Sequence, residues 1–133
     1  MLRLAMRRRD VDQICCERGA AAIEFAIILP ILLLCVLGLI ELGRAIWTQA
    51  TLDYAVQAAA RCAAVDRLTC GTAAHTQQYA TTKAPGLSLP ASVFTVTTPP
   101  CGVQVAASLA FDFLVPALLP YSQTLSATAC FPV

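Results

Sequence analysis

Few residues in this chain could do acid–base or nucleophilic chemistry. His75 is the one histidine, and its neighbours are alanine, threonine and glutamine. Beyond the long apolar stretch the carboxylates are Glu41, Asp53, Asp66 and Asp112. A nucleophile–imidazole–carboxylate relay needs an imidazole flanked by both partners, and this distribution offers none. No glycine-rich phosphate loop and no usefully spaced carboxylate pair occurs, and C-x-x-C spacing is absent, which argues against zinc and thioredoxin-like chemistry. The sequence reads as non-enzymatic, with no metal and no cofactor.

One carboxylate is out of place. Glu24 lies near the start of an apolar run, Ala20-Ala21-Ala22-Ile23-Glu24-Phe25, that continues through Pro30 to Ile40. A charge there opposes membrane insertion, so it calls for a partner or an interfacial position. A buried unpaired carboxylate costs several kcal/mol or is neutralised. At the headgroup boundary, one turn inside a span, it can instead reach water.

The elements that must hold Glu24 follow from composition. Of 133 residues, 58% are hydrophobic and 13% charged, against a usual charged share of about 25%. That is the balance of a small membrane-anchored protein with one domain. The net charge of +1 leaves no nucleic-acid footprint. Phe25 to Ile40 is 16 residues without a charge, and counting from Ala20 gives 21, against the ~20 that cross a bilayer core. Arg3, Arg7, Arg8, Arg9 and Arg18 all precede the run, which places that end in the cytoplasm and everything after Glu41 on the far side. A signal-peptidase site at Gly43 and Ala45 is poor, and Leu34 before Cys35 does not suit a lipoprotein. The plain reading of these residues is an uncleaved anchor starting at Met1 or Met6.

Cysteine placement agrees. Cys15 and Cys16 precede the span and Cys35 lies in it, whereas Cys62, Cys70, Cys101 and Cys130 follow it. Four cysteines in a compartment where disulfides persist allow three pairings. Cys62–Cys70, a short loop at a helix end, with Cys101–Cys130 tying two later strands, is the favoured one.

Past the span, Ile40, Trp47, Tyr54, Ala58, Cys62 and Val65 suggest one apolar helix face, with Arg44, Thr48, Gln49, Thr51 and Asp53 opposite. Glu41 and Arg44 are spaced to pair at the helix exit. Trp47 suits a membrane interface, and Pro30 predicts a kink. Cys70-Gly71 ends the helix, and residues 75–83 form a short second one. Strands are expected at 93–98, 103–113 and 124–131, with Pro99-Pro100-Cys101-Gly102 turning the first hairpin. The apolar segment 113–120 faces a membrane or partner, or closes the core. The fold class is α+β, a long N-terminal transmembrane and amphipathic helix packed on a small antiparallel sheet. The divisions are 1–19, a basic leader; 20–41, the span; 42–66, its continuation; and 67–133, a disulfide-stapled β-rich module.

Gly19-Ala20-Ala21-Ala22-Ile23-Glu24-Phe25 is similar to the processing site of type IV pilins and pseudopilins, in which a basic leader ends in Gly and Glu is fifth in the mature chain. The wider stretch from Arg18 to Pro30, with Glu41-Leu42-Gly43-Arg44-Ala45 beyond the span, resembles the TadE-like family, minor pseudopilins of the tight-adherence type IVb pilus assembly system. The resemblance is close over residues 18–65 and general elsewhere. It implies a pilin-like fold, cleavage by a prepilin peptidase between Gly19 and Ala20, and use of Glu24 and Phe25 in subunit register. In related pilins the glutamate pairs with a neighbour's new N-terminal amine. The implied partners are the peptidase, other pilins and pseudopilins, the inner-membrane assembly platform and the lipid bilayer. The implied location is the bacterial inner membrane, single-pass, with a periplasmic C-terminal module, or the pilus and cell surface. The alternative is an uncleaved membrane-anchored binding, adhesin or accessory module.

Overall fold

A computed structural model describes residues 2–114 and 122–133, with backbone alone for residues 2–20. The chain divides into two units, Met1–Ile40 and Glu41–Val133. The apolar tip at 115–120 lies outside the described residues.

The first unit is helical. Helix α1 is assigned over Leu2–Val65 and passes Pro30 without a break. The part from Ala21 is long and apolar enough to cross a membrane, and none of its most apolar window is buried. Leu, Ile and Ala at nearly every position favour helix and leave no polar face.

The second unit is an α+β module. It takes the end of α1, then α2 (Arg67–Cys70), α3 (Ala73–Thr82), a 3₁₀ turn (Ala91–Val93) and strands β1 (Phe94–Thr97), β2 (Val103–Phe111) and β3 (Gln123–Phe131). The strands form one antiparallel sheet in the order β1-β2-β3. Alternate residues of each strand face the helices: Phe94 on β1, Val105 and Ala107 on β2, and Ala127 on β3 are buried. The register places Phe94 opposite Ala107 and Ala107 opposite Ala127, so one large ring is flanked by small neighbours across the sheet. From α1 come Leu52, Ala55, Val56, Ala59 and Ala60, and from α3 and its C-terminal turn Ala80 and Ala84. Alanine lets the helix backbone approach the sheet closely, and that closeness excludes water from Phe94 and Val105.

This burial corrects the helix face expected from sequence. Ile40, Trp47, Tyr54 and Val65 are exposed, Ala58 and Cys62 are partly so, and Thr48, assigned to the polar side, is buried with Glu41. The buried row 41, 48, 52, 55, 56, 59, 60 is offset by about one residue from the expected row, a rotation of about 100° at 3.6 residues per turn. Trp47 keeps a half-exposed ring that contacts Gly86 (φ +79°), where a Cβ would lie 2.8 Å from the indole. Positive φ and the ring both require glycine there.

Two disulfides staple the module. Cys62–Cys70 closes the end of α1 onto α2 across 8 positions, and Cys101–Cys130 joins the β1–β2 turn to β3 across 29. The turn itself is closed by Gly102 N–H donating to Pro99 O at 2.9 Å. Asp66 caps α2 by accepting from Leu68 N–H and Thr69 N–H, both at 3.1 Å. Thr72 Oγ1 caps α3 by accepting from His75 N–H at 3.2 Å.

Candidate functional site

The residues singled out by sequence fall in two places. The first is the N-terminal part of α1. Gly19 and Ala20 lie in its helical backbone. Glu24 is exposed between Ile23, 65% exposed, and Phe25, 62% exposed, with Ile27 and Ile28 similarly open. No hydrogen bond or ion pair to Glu24 is made among the described residues. Gly38 faces open space, with nothing within 4 Å of where a Cβ would lie. A lone helix with large apolar side chains around its whole circumference meets an apolar surrounding, lipid or other helices. The one carboxylate among them then calls for a partner or for water at an interfacial position, and no described residue supplies a donor.

Residues 19–61 match the family model of TadE-like proteins. The match begins at the glycine before the apolar run and takes in Glu24, Pro30, Glu41 and Arg44. No curated protein and no solved structure matches the chain. The TadE-like segment therefore covers the apolar helix and most of its continuation, and it stops before Cys62.

The second place is the exit of the TadE-like segment from its apolar part. Arg44 Nη1 donates to both oxygens of Glu41, at 3.0 and 2.9 Å. The pair is not a free surface pair. The Glu41 side chain is 10% exposed, and Oε1 also accepts from Leu114 N–H at 3.3 Å. The Arg44 guanidinium lies 5.0 Å from the centroid of the Phe111 ring, which packs edge-on against Phe113. Glu41 and Arg44 thus hold the chain where it leaves β2, a tertiary role that their i,i+3 spacing alone does not disclose. Phe111, Phe113 and the Leu114 amide are the partners that sequence reasoning missed.

Two glutamines were missed as well. Gln49 Nε2 reaches Ser126 O on β3 at 2.9 Å and approaches Asp53 at 3.3 Å. Gln77 Nε2 donates to Phe94 O at 2.7 Å, fastening α3 to β1. The i,i+4 spacing of Gln49 and Asp53 was visible, whereas the strand carbonyl was not. Thr76, buried, donates its hydroxyl hydrogen towards Cys70 O at 3.1 Å and Thr72 O at 3.0 Å, so the disulfide-closed turn is anchored on α3.

For catalysis the geometry offers little. His75 stands in the exposed first turn of α3. Among the described residues no group of three or more His, Cys, Asp or Glu is placed to hold a metal. An open cleft of about 630 Å³ between α1 and α3 is flanked by Arg61 and Lys83, with Lys83 Nζ 5.0 Å from the Tyr79 ring centroid. It has cations and aromatic faces but no nucleophile beside a base.

Proposed function

We propose that this protein is a minor pseudopilin-like structural subunit, made as a prepilin and acting in assembly of a tight-adherence type IVb pilus or a related secretion apparatus. The observation that carries this reading is the TadE-like match over residues 19–61, which begins at Gly19 and places Glu24 five residues beyond it. A prepilin peptidase cuts between Gly19 and Ala20. Residues 1–19 are the cytoplasmic leader, 20–41 span the inner membrane, 42–66 continue the helix, and 67–133 form the periplasmic module. Ala20 becomes the new N-terminus. Glu24 then accepts the N-terminal ammonium of a neighbouring pilin, an ion pair that offsets the cost of a carboxylate in lipid and fixes the helices to one register. Phe25 packs beside it, and Pro30 loosens the helix for passage from bilayer to filament. Its partners are the peptidase, other pilins and pseudopilins, and the assembly platform, and its work is packing without chemistry on a substrate.

N-terminal sequencing of the protein recovered from membranes tests this most directly. A chain starting at Ala20 is expected. A start at Met1 or Met6 would replace this reading with an uncleaved anchored module. In cells, Glu24→Ala should insert as well as the parent or better and fail to assemble with partner pilins; normal assembly would remove the register role.

A further inference from the structure

The end of the second unit that follows Ile40 is apolar on its surface, and its polar groups are paired within the chain. Leu42, Ile46 and Trp47 of α1 are each at least half exposed, and Leu114, three residues past the end of β2, is 67% exposed. Arg44 Nη1 donates to both Glu41 oxygens, and Glu41 Oε1 also accepts the Leu114 N–H. A backbone amide that faces water needs no such partner, whereas one that faces lipid does. Leu114 therefore exposes an apolar side chain while its amide is satisfied inside the chain.

Exposure alone does not choose this end, because Val65 and Leu68, at the far end of α1 and in α2, are more exposed. Depth along α1 does. We propose that Leu42, Ile46, Trp47 and Leu114 form a lipid-seating rim, which holds the folded module in the headgroup region of the bilayer that the apolar helix crosses. A bilayer about 40–45 Å thick with a core of about 30 Å leaves about 5–8 Å of headgroup region on each face. At a rise of ~1.5 Å per residue, that depth is about four residues of helix. With the core ending at Ile40, those residues are Glu41 to Arg44. The Leu114 amide is bonded to Glu41, and the Phe111 ring lies 5.0 Å from the Arg44 guanidinium. The end of β2 thus stands at the headgroup level. Trp47, a turn further along, falls at its outer edge, where tryptophan is enriched.

The choice of lipid over a protein partner rests on continuity. Leu39, Leu42 and Ile46, all exposed, follow at spacings of three and four along the one helix, so the surface of the span runs directly into the rim. The charge pattern narrows the lipid. The rim has one cation, Arg44, already held by Glu41, and a second carboxylate, Asp112, exposed to water. Nothing there attracts an anionic headgroup, so the seating is driven by apolar area and takes zwitterionic lipid. This inference rests on the apolar helix being a membrane span, and is independent of cleavage and assembly.

The test uses the full chain reconstituted in phosphatidylcholine vesicles. Trp47 is the only tryptophan, so two single reporters are made in a Trp47→Phe background. Leu114→Trp reads the rim, and Leu68→Trp reads the far end, past Val65, which lies about 36 Å along α1 from Glu41. Phosphatidylcholine brominated near the carbonyl end of its acyl chains should quench the first several-fold more than the second. Aqueous iodide should quench them in the reverse order. Adding phosphatidylglycerol should change neither order. Intact Cys62–Cys70 and Cys101–Cys130 bridges, checked by mass spectrometry, establish that each variant is folded. Equal quenching at the two positions, in protein that resists carbonate extraction, overturns the seating and leaves the span standing. Release of the protein by carbonate overturns both. Quenching of Leu114→Trp that requires phosphatidylglycerol assigns the contact to charge and overturns the apolar rim.

Discussion

The two units of this chain bury apolar surface in opposite ways. In the first unit the large apolar side chains between Ile23 and Ile40 are almost all exposed, Ile, Leu and Phe alike, and no described residue of the unit covers them. In Glu41–Val133 alanine is the commonest buried residue of the helices, and the large apolar ones beside it, Leu52 and Val56, with Phe94 of the sheet, are sealed by the chain itself. The first unit is thus completed by its surroundings, and the second completes itself. A substitution in the first unit should register in insertion or assembly, and one in the second in folding stability.

That contrast can be broken most sharply in the core. Phe94→Ala should lower the unfolding free energy by about 3–5 kcal/mol, as removal of a buried ring does. Ile28→Ala, at an exposed position of the first unit, should leave it unchanged within about 0.5 kcal/mol. Denaturant titration of the full chain in detergent, monitored by Trp47 fluorescence, compares the two. Equal effects would erase the distinction between the units.

The disulfides refine the comparison within the second unit. Loop-closure entropy assigns about 2.5 kcal/mol to the Cys62–Cys70 bridge and about 3.6 kcal/mol to Cys101–Cys130. Paired serine substitutions should therefore cost more at the strand bridge than at the helix-end bridge, again by denaturant midpoint. The reverse order would mean that the turn at the end of α1 organises the module more than the sheet does.

The Glu41–Arg44 pair stands where the units meet in sequence. Arg44→Ala leaves a mostly buried carboxylate with only the Leu114 amide as donor. Because Arg44 itself is 40% exposed, solvent screening limits the cost to about 1–2 kcal/mol. Faster amide exchange at Leu114 should accompany it, and unchanged exchange would show that the pair does not hold the end of β2.

The smallest effect is expected from pH. The Thr69 hydroxyl and then the Thr69 amide hydrogen-bond to Asp66 and hold its carboxyl below the usual carboxylate range against an opposing desolvation, with a smaller contribution from the Leu68 amide. A depressed folded-state pKa gives a stability contribution that is full above about pH 4 and is lost as pH falls through the folded value. Asp66→Asn should accordingly be less stable than the parent at pH 7, with the gap closing in acid. A gap that widens below pH 4 would contradict the capping role.

Much of this was legible because it depends on neighbours along the chain. The glycine, the glutamate five positions later and the preceding arginines are local features, and the TadE-like match falls on them. Alternation in Val103–Phe111 and the Pro-Pro-Cys-Gly turn disclosed the hairpin, since period two and turn chemistry act within a few residues. The buried face of the helix was misread because Trp47 and Tyr54 outweigh alanine in any apolar pattern, while the sheet can approach only where side chains are small. Thr48 joins the buried row as another small residue, and Glu41 joins it because Arg44 and the Leu114 amide satisfy its carboxylate.

The sequence by itself determined the apolar helix, the position of Glu24 relative to Gly19, the α+β class and the strand order along the chain. These follow from propensity, periodicity and spacing. The tertiary structure alone decided which helix face is buried, that Glu41 and Arg44 fasten the end of β2, and that Gln49 reaches a strand carbonyl. The last two depend on contacts between residues 70 or more positions apart and the first on packing against α3 and the sheet, and such geometry leaves no period in the chain.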